Sequence, residues 1–200
     1  MAEDTRRSAS PEESRDALLD QLGSANRRRR QEASHQLAIM AKYAPDVLID
    51  HADALEEALF RPEAQTRWEC LDALADLAEH DPAKVLGAFE GAEASLFDED
   101  SAAVRLAAFR FIARVGATSP EHSDKAWPLL DEAIQCFHGD PEYRDMLQAL
   151  IEFVKGDISD EARDALVARV DFDANKGSSA GYIRAYSRQI IDEAKAAAKR

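Results

Sequence analysis

Val104-Arg105-Leu106-Ala107-Ala108-Phe109-Arg110-Phe111-Ile112-Ala113-Arg114-Val115-Gly116 is the stretch whose reading decides the fold. Val104, Ala108, Ile112 and Val115 fall three and four residues apart, a spacing that gathers them into one apolar stripe along an α-helix. The stretch has counterparts along the chain. Aligned on their first arginine, residues 30–41, 67–78, 105–116, 144–155 and 184–195 recur at intervals of 37, 38, 39 and 40 residues, on Arg30, Arg67, Arg105, Arg144 and Arg184. The stripe is repeated as Ala33, Leu37, Met40; as Cys70, Leu74, Leu77; and as Tyr143, Leu147, Ile151, Val154. In the last segment Ile183 and Ile191 keep to it and Ser187 does not, as expected of a terminal repeat with one face in water.

A second register supports the first. Pro45, Pro82, Pro120 and Ser159 each stand fifteen residues after one of the first four arginines, and proline favours the first turn of a helix. Asp81 and Ser119 are placed as N-caps, and Ser10-Pro11 repeats the signal near the chain start. Phe60, Phe97, Phe137 and Phe172 form a further landmark. Each unit therefore reads as two antiparallel helices. The first are expected near 11–22, 46–60, 83–97, 121–137 and 160–170, and the second near 25–43, 63–79, 101–116, 141–155 and 179–198. The units are bounded as 11–44, 45–80, 81–118, 119–157 and 158–200, one repeat domain over 11–200, with residues 1–10 expected to be disordered.

Helix pairs of about 38 residues, an arginine opening the second helix, and Val104-Arg105-Leu106-Ala107-Ala108 resemble HEAT repeats. Asp100 and Asp140, and less closely Glu63, match the acidic residue such repeats carry before the arginine. The resemblance implies an all-α, right-handed α-solenoid of about five HEAT-like pairs, with the second helices lining a concave face. It also implies that the aligned arginines are structural, pairing with an acid ahead of the helix such as Asp100 or Asp140.

Charge narrows the function classes. The chain of 200 residues carries 25 basic and 39 acidic side chains, and residues 45–157 alone hold 9 basic against 25 acidic. Such a midsection repels phosphate backbones and anionic membranes, and favours basic partners. The longest aliphatic run, Val47-Leu48-Ile49, is far short of a membrane span. The polar opening MAEDTRRSAS does not form a secretory signal, and the distant Cys70 and Cys136 build no disulfide framework, so a cytoplasmic protein is expected.

Chemistry-bearing patterns are sparse. His35, His51, His80, His122 and His138 include no pair at helical metal spacing, and no glycine-rich phosphate loop occurs. Neither a catalytic residue, a cofactor nor a metal is expected. The outward row of the second helices instead places Trp68 and Leu106 at equivalent positions in adjacent units, flanked by Asp72 and Arg110. An aromatic and an aliphatic side chain beside a carboxylate and an arginine have the composition of an interface hot spot. These four residues are the candidate partner-binding site of a non-enzymatic scaffold or adaptor, taking a protein partner that is basic or helical. The competing reading of Trp68 is that it completes helix packing. The run Arg27–Arg30 reads as a solvated helix start with some capacity for an acidic partner. Trp68 and Asp72 also resemble the Trp-x-x-x-Asp pair of HEAT-like alkylpurine DNA glycosylases, where the tryptophan packs on the lesion and the aspartate stabilises positive charge. That alternative, nucleic-acid binding or repair, requires a basic groove that the acidic midsection opposes.

Overall fold

The arginine-aligned segments form parallel rods stacked side by side in chain order. They are α2 (Arg27–Tyr43), α5 (Ala64–Ala78), α7 (Ala102–Gly116), α9 (Tyr143–Lys155) and α11 (Gly181–Ala197), each packed on the next. The computed structural model describes residues 10–175 and 179–198; apart from Ser10, the segment expected to be disordered lies outside that range. A second layer consists of α1 (Pro11–Leu22), α3 (Pro45–Leu48), α4 (Ala52–Ala58), α6 (Phe89–Leu96), α8 (Pro120–Cys136) and α10 (Asp160–Asn175). No strand occurs among the described residues, and the chain is an all-α solenoid.

Local chemistry starts the helices where the register predicts. Ser10 forms a capping box with Glu13, and Asp81 and Ser119 accept from the backbone N–H groups of Ala83 and His122. Ser159 does the same for Ala162 at 3.0 Å. The stripe forms the core between the layers: Leu37, Cys70, Leu74, Val104, Ala108, Ile112, Leu147 and Val154 are all inaccessible to solvent. Ser187 follows them into the core despite its hydroxyl, which finds no hydrogen-bond partner.

The outer layer departs from the expected pairs. Residues 46–60 were expected as one helix and are instead α3, a 3-10 turn over Ile49–His51, and α4. Residues 83–97 open as a 3-10 stretch, Pro82–Ala88, before α6. Val47, Ile49, Asp50 and His51 are weak helix formers, and Gly87 and Gly91 weaken the other segment. The second unit thus has three short outer elements and the third has two, in place of the single outer helix expected of each. In contrast, α8 is one helix through Pro128. Gly116 permits the close approach of α7, α8 and α9, since a Cβ there would stand 2.6 Å from Ala126 Cβ and 2.8 Å from the Phe153 ring.

The aligned arginines join successive units. Arg30 pairs with Glu63, Arg67 with Asp98 at 2.7 Å, and Arg105 with Glu142. Their partners are carboxylates at the N-cap of the following second helix, Glu63 and Glu142, or in the loop that leads into it, Asp98. Asp100 and Asp140, the expected partners, are exposed; Asp98 and Glu142 take their place because the loop before each helix turns a different residue inward. Glu63 and Glu142 sit at the N-caps of α5 and α9, where the helix dipole also favours negative charge. The spare guanidinium nitrogen of Arg30 donates to the Ser24 carbonyl at 2.7 Å, and that of Arg105 to the Asp98 carbonyl at 2.8 Å. Each of these arginines therefore ties its own loop to the next unit. Arg105 also lies over the Phe137 ring, 4.7 Å from its centroid, and Phe137 packs on Phe97 at 6.1 Å. At the fourth junction the pattern changes: Arg144 meets the Tyr186 hydroxyl at 3.4 Å.

Arg30 holds the Glu63 carboxyl below the usual glutamate range, its hydrogen bond outweighing burial. The stability this supplies is complete above the ordinary carboxylate pKa and is lost as pH falls through the depressed value. Removing one member of a buried pair orphans a charge. In urea denaturation Arg105→Met is expected to cost about 3–5 kcal/mol. Arg105→Met with Glu142→Leu should recover most of that loss, and Arg144→Ala, at an exposed site, should barely move the midpoint.

Candidate functional site on the second helices

The second helices leave two hollows on their solvent side. One, of about 460 Å³, lies among α2, α5 and α7 and is lined by His35, Ile39, Tyr43, Asp72 and Asp76. The other, of about 360 Å³, lies among α5, α7 and α9 and is lined by Glu79, Asp145, Gln148 and Glu152. Arg110 and Arg114, one helical turn apart on α7, line both and form the divide. The hollows are therefore two halves of one groove crossing four helices. Tyr43 is 76% exposed at its α2 end, with the Lys42 ammonium 5.6 Å from its ring centroid.

The groove's charges are held loosely. Arg110 stands 4.0 Å from Asp72 and 3.9 Å from Asp145, beyond hydrogen-bonding distance of either. Its guanidinium is poised between two carboxylates and committed to neither. This contrasts with Arg30 and Arg105, whose carboxylates are buried. Arg114 pairs with Glu79, and His35 lies 3.1 Å from Glu69. Burial in the wall raises the Asp72 carboxyl to about 6; Arg110 opposes the shift, while Asp76 and Glu69 add to it. Farther along, Gln148 donates to the Tyr186 hydroxyl at 2.9 Å and bridges α9 to α11.

Asp72 and Arg110, singled out from the sequence, thus face the groove together. Trp68 and Leu106 are partly buried, pack against the core, and line neither hollow. Arg27, Arg28 and Arg29 are exposed at the start of α2, whereas Arg30 is buried in its pair. Ile39 and Asp76 escaped the sequence reading, although both fall nine residues after an aligned arginine, as Arg114 does, one turn beyond the outward row. Cys70 is buried, which raises its thiol pKa and keeps it protonated. Among the described residues no group of three His, Cys, Asp or Glu side chains is arranged to hold a metal ion, and no helix is long and apolar enough to cross a membrane.

No family model matches the sequence, and no curated protein does so. Solved structures resemble it in fold. A computationally designed armadillo repeat protein for modular peptide recognition superposes with a TM-score of 0.69 at 17% identity, covering 88% of this chain and 80% of its own. A designed armadillo repeat protein in complex with the peptide (KR)4 gives 0.71 at 16% identity, with coverage of 88% and 80%. The complex of CpcE and CpcF of phycocyanin lyase from Nostoc sp. PCC7120 gives 0.62 at 16% identity, covering 98% of this chain and 69% of the matched one. The chain is a helical-repeat solenoid.

Because the folded-state pKa of Asp72 lies above its unfolded value, its charge opposes folding above pH 6, and that penalty disappears as the pH falls toward the ordinary carboxylate range. Asp72→Asn is therefore expected to raise the melting temperature at pH 8, by an increment that shrinks as pH falls from 7 to 5. Calorimetry across that range checks the sign.

Proposed function

We propose that the chain is a non-enzymatic intracellular scaffold that binds a protein partner in the groove of its second helices, their concave face. The carrying observation is that groove itself, lined by exposed and incompletely paired charges between two hollows. Asp72 and Arg110 are read as contact residues. Trp68 and Leu106 contribute from beneath, holding α5 and α7 in the spacing that keeps the groove open. A rigid wall of this kind suits an extended segment or a single helix, because preorganisation lowers the cost of binding.

The lining carboxylates Glu69, Asp72, Asp76, Glu79, Asp145 and Glu152 outnumber Lys42, Arg110 and Arg114 two to one. That excess supports a basic partner and argues against a phosphate backbone. One fold neighbour carries the peptide (KR)4, an alternating basic ligand, which agrees with this preference. We read the five units with the bounds 11–44, 45–80, 81–118, 119–157 and 158–200.

Affinity capture of the tagged chain from its own cell lysate, with and without nuclease, tests the reading. A near-stoichiometric protein that survives nuclease is expected, and Asp145→Lys with Glu152→Lys should weaken its retention by about tenfold or more with helical circular dichroism unchanged. Captured material that disappears with nuclease would contradict it.

A further inference from the structure

The outer layer holds a groove of different character from the one on the second helices. It runs between α4 and the segment Pro82–Leu96, has a volume of about 390 Å³, and is lined by Asp53, Glu56, Glu57 and Glu90 together with Leu59 and Phe60. Phe60 is 74% exposed, although its equivalents Phe97 and Phe137 pack on each other. Its ring is thus left without the neighbour that the repeat supplies one unit later.

Two glycines make the floor. A Cβ on Gly87 would stand 2.9 Å from Glu56 Cδ and closer still to its carboxylate oxygen, and one on Gly91 would stand 2.9 Å from Leu59 Cδ1. Side chains at these positions would collide with Glu56 and Leu59, so the glycines let Glu56 lie against the backbone, where the Ala88 N–H binds its carboxylate. Burial and the nearby charge of Asp53 nevertheless raise the Glu56 carboxyl, against that hydrogen bond. The electrostatics of the site are therefore unbalanced in one direction.

No lysine or arginine lines the groove, and Asp53, Glu57 and Glu90 make no ion pair among the described residues. Lys84, on the adjoining 3-10 stretch, is committed to Asp50 at 2.8 Å. Other junctions of the outer layer do neutralise their carboxylates: between α8 and α10, Arg169 binds Asp131 through two nitrogens. The junction of α4 with α6 combines an exposed aromatic ring, glycines that seat Glu56 against the backbone, and four carboxylates with no lysine or arginine in the lining.

We propose that this outer groove is a second docking site, taking a basic segment of a partner protein whose lysines and arginines meet Glu57, Glu90, Asp53 and Glu56 while an apolar side chain between them packs on Phe60. The charge complementarity selects a cationic occupant, and Phe60 supplies the apolar anchor that distinguishes a docking site from a merely acidic surface. This site stands apart from the second-helix groove and does not depend on it.

The test is fluorescence anisotropy of a labelled peptide, Lys-Lys-Leu-Lys-Arg, titrated with the full chain. Saturable binding is expected, with a loss of about tenfold or more for Phe60→Ala and for Glu57→Lys with Glu90→Lys. Replacing the peptide's leucine by serine should cost the parent chain as much as Phe60→Ala does. Glu132→Lys with Asp164→Lys, exposed on α8 and α10 and lining neither groove, should change the affinity less than about twofold. The proposal is overturned by an absence of saturable binding, by groove variants that bind like the parent, or by equal losses from this control, which would mark the attraction as general charge. A dimer in sedimentation that the Phe60→Ala chain does not form would also overturn it, by assigning the groove to a second copy.

Discussion

The salt bridge between units is the interaction on which the other features of this molecule depend. Arg30 to Glu63, Arg67 to Asp98 and Arg105 to Glu142 each run from the first turn of one second helix to the start of the next. A buried ion pair adds little net stability over apolar packing of the same volume. Its directional geometry is what matters here. An apolar stripe of alanine, leucine and isoleucine allows neighbouring helices to slide by a turn at modest cost, whereas an arginine with a fixed carboxylate and a fixed loop carbonyl permits one register.

Register in turn creates the groove. With α5, α7 and α9 locked side by side, Asp72, Arg110 and Asp145 are carried to the same level on three helices, and Glu79 meets Arg114 one turn farther on. The same arginine chemistry thus appears in two states. Buried and hydrogen-bonded, it assembles the array; exposed and shared between carboxylates about 4 Å away, it remains available to a ligand. Asp72 displays the tension between the two roles, since its carboxyl is raised to about 6 by burial in the groove wall against the opposing charge of Arg110. The outer layer has no such arginine row, and there the elements break, shorten and leave Phe60 uncovered.

The inner layer was legible in the sequence because one stripe and one arginine recur at nearly constant intervals, and all the second helices lie within two residues of where that pattern puts them. The acids paired with the arginines were not legible. The resemblance to HEAT repeats pointed to Asp100 and Asp140, whereas the acids used, Asp98 and Glu142, bind the arginine of the preceding unit, a pairing across repeats that no local spacing displays. The breaks in the outer layer were hidden for a similar reason: Pro45 and Pro82 announce a helix start but do not say whether the first turns are α or 3-10. At the candidate site, composition picked out Asp72 and Arg110, which line the hollow among α2, α5 and α7. Trp68 and Leu106 were read at the same level of exposure, yet neighbouring helices crowd that turn, and both side chains fold onto the core. The depth of a groove depends on the distance between helices, which no single helical pattern contains.

The most direct test of the account compares the two layers inside the native environment. A photoreactive amino acid is introduced at Gln148, in the second-helix groove, and separately at Gln135, exposed on α8 of the outer layer. Cross-linking in nuclease-treated lysate should give one discrete protein adduct from position 148 and none of that mass from position 135. The same adduct from position 135 alone, or equal yields from both, would contradict the assignment of partner binding to the second helices.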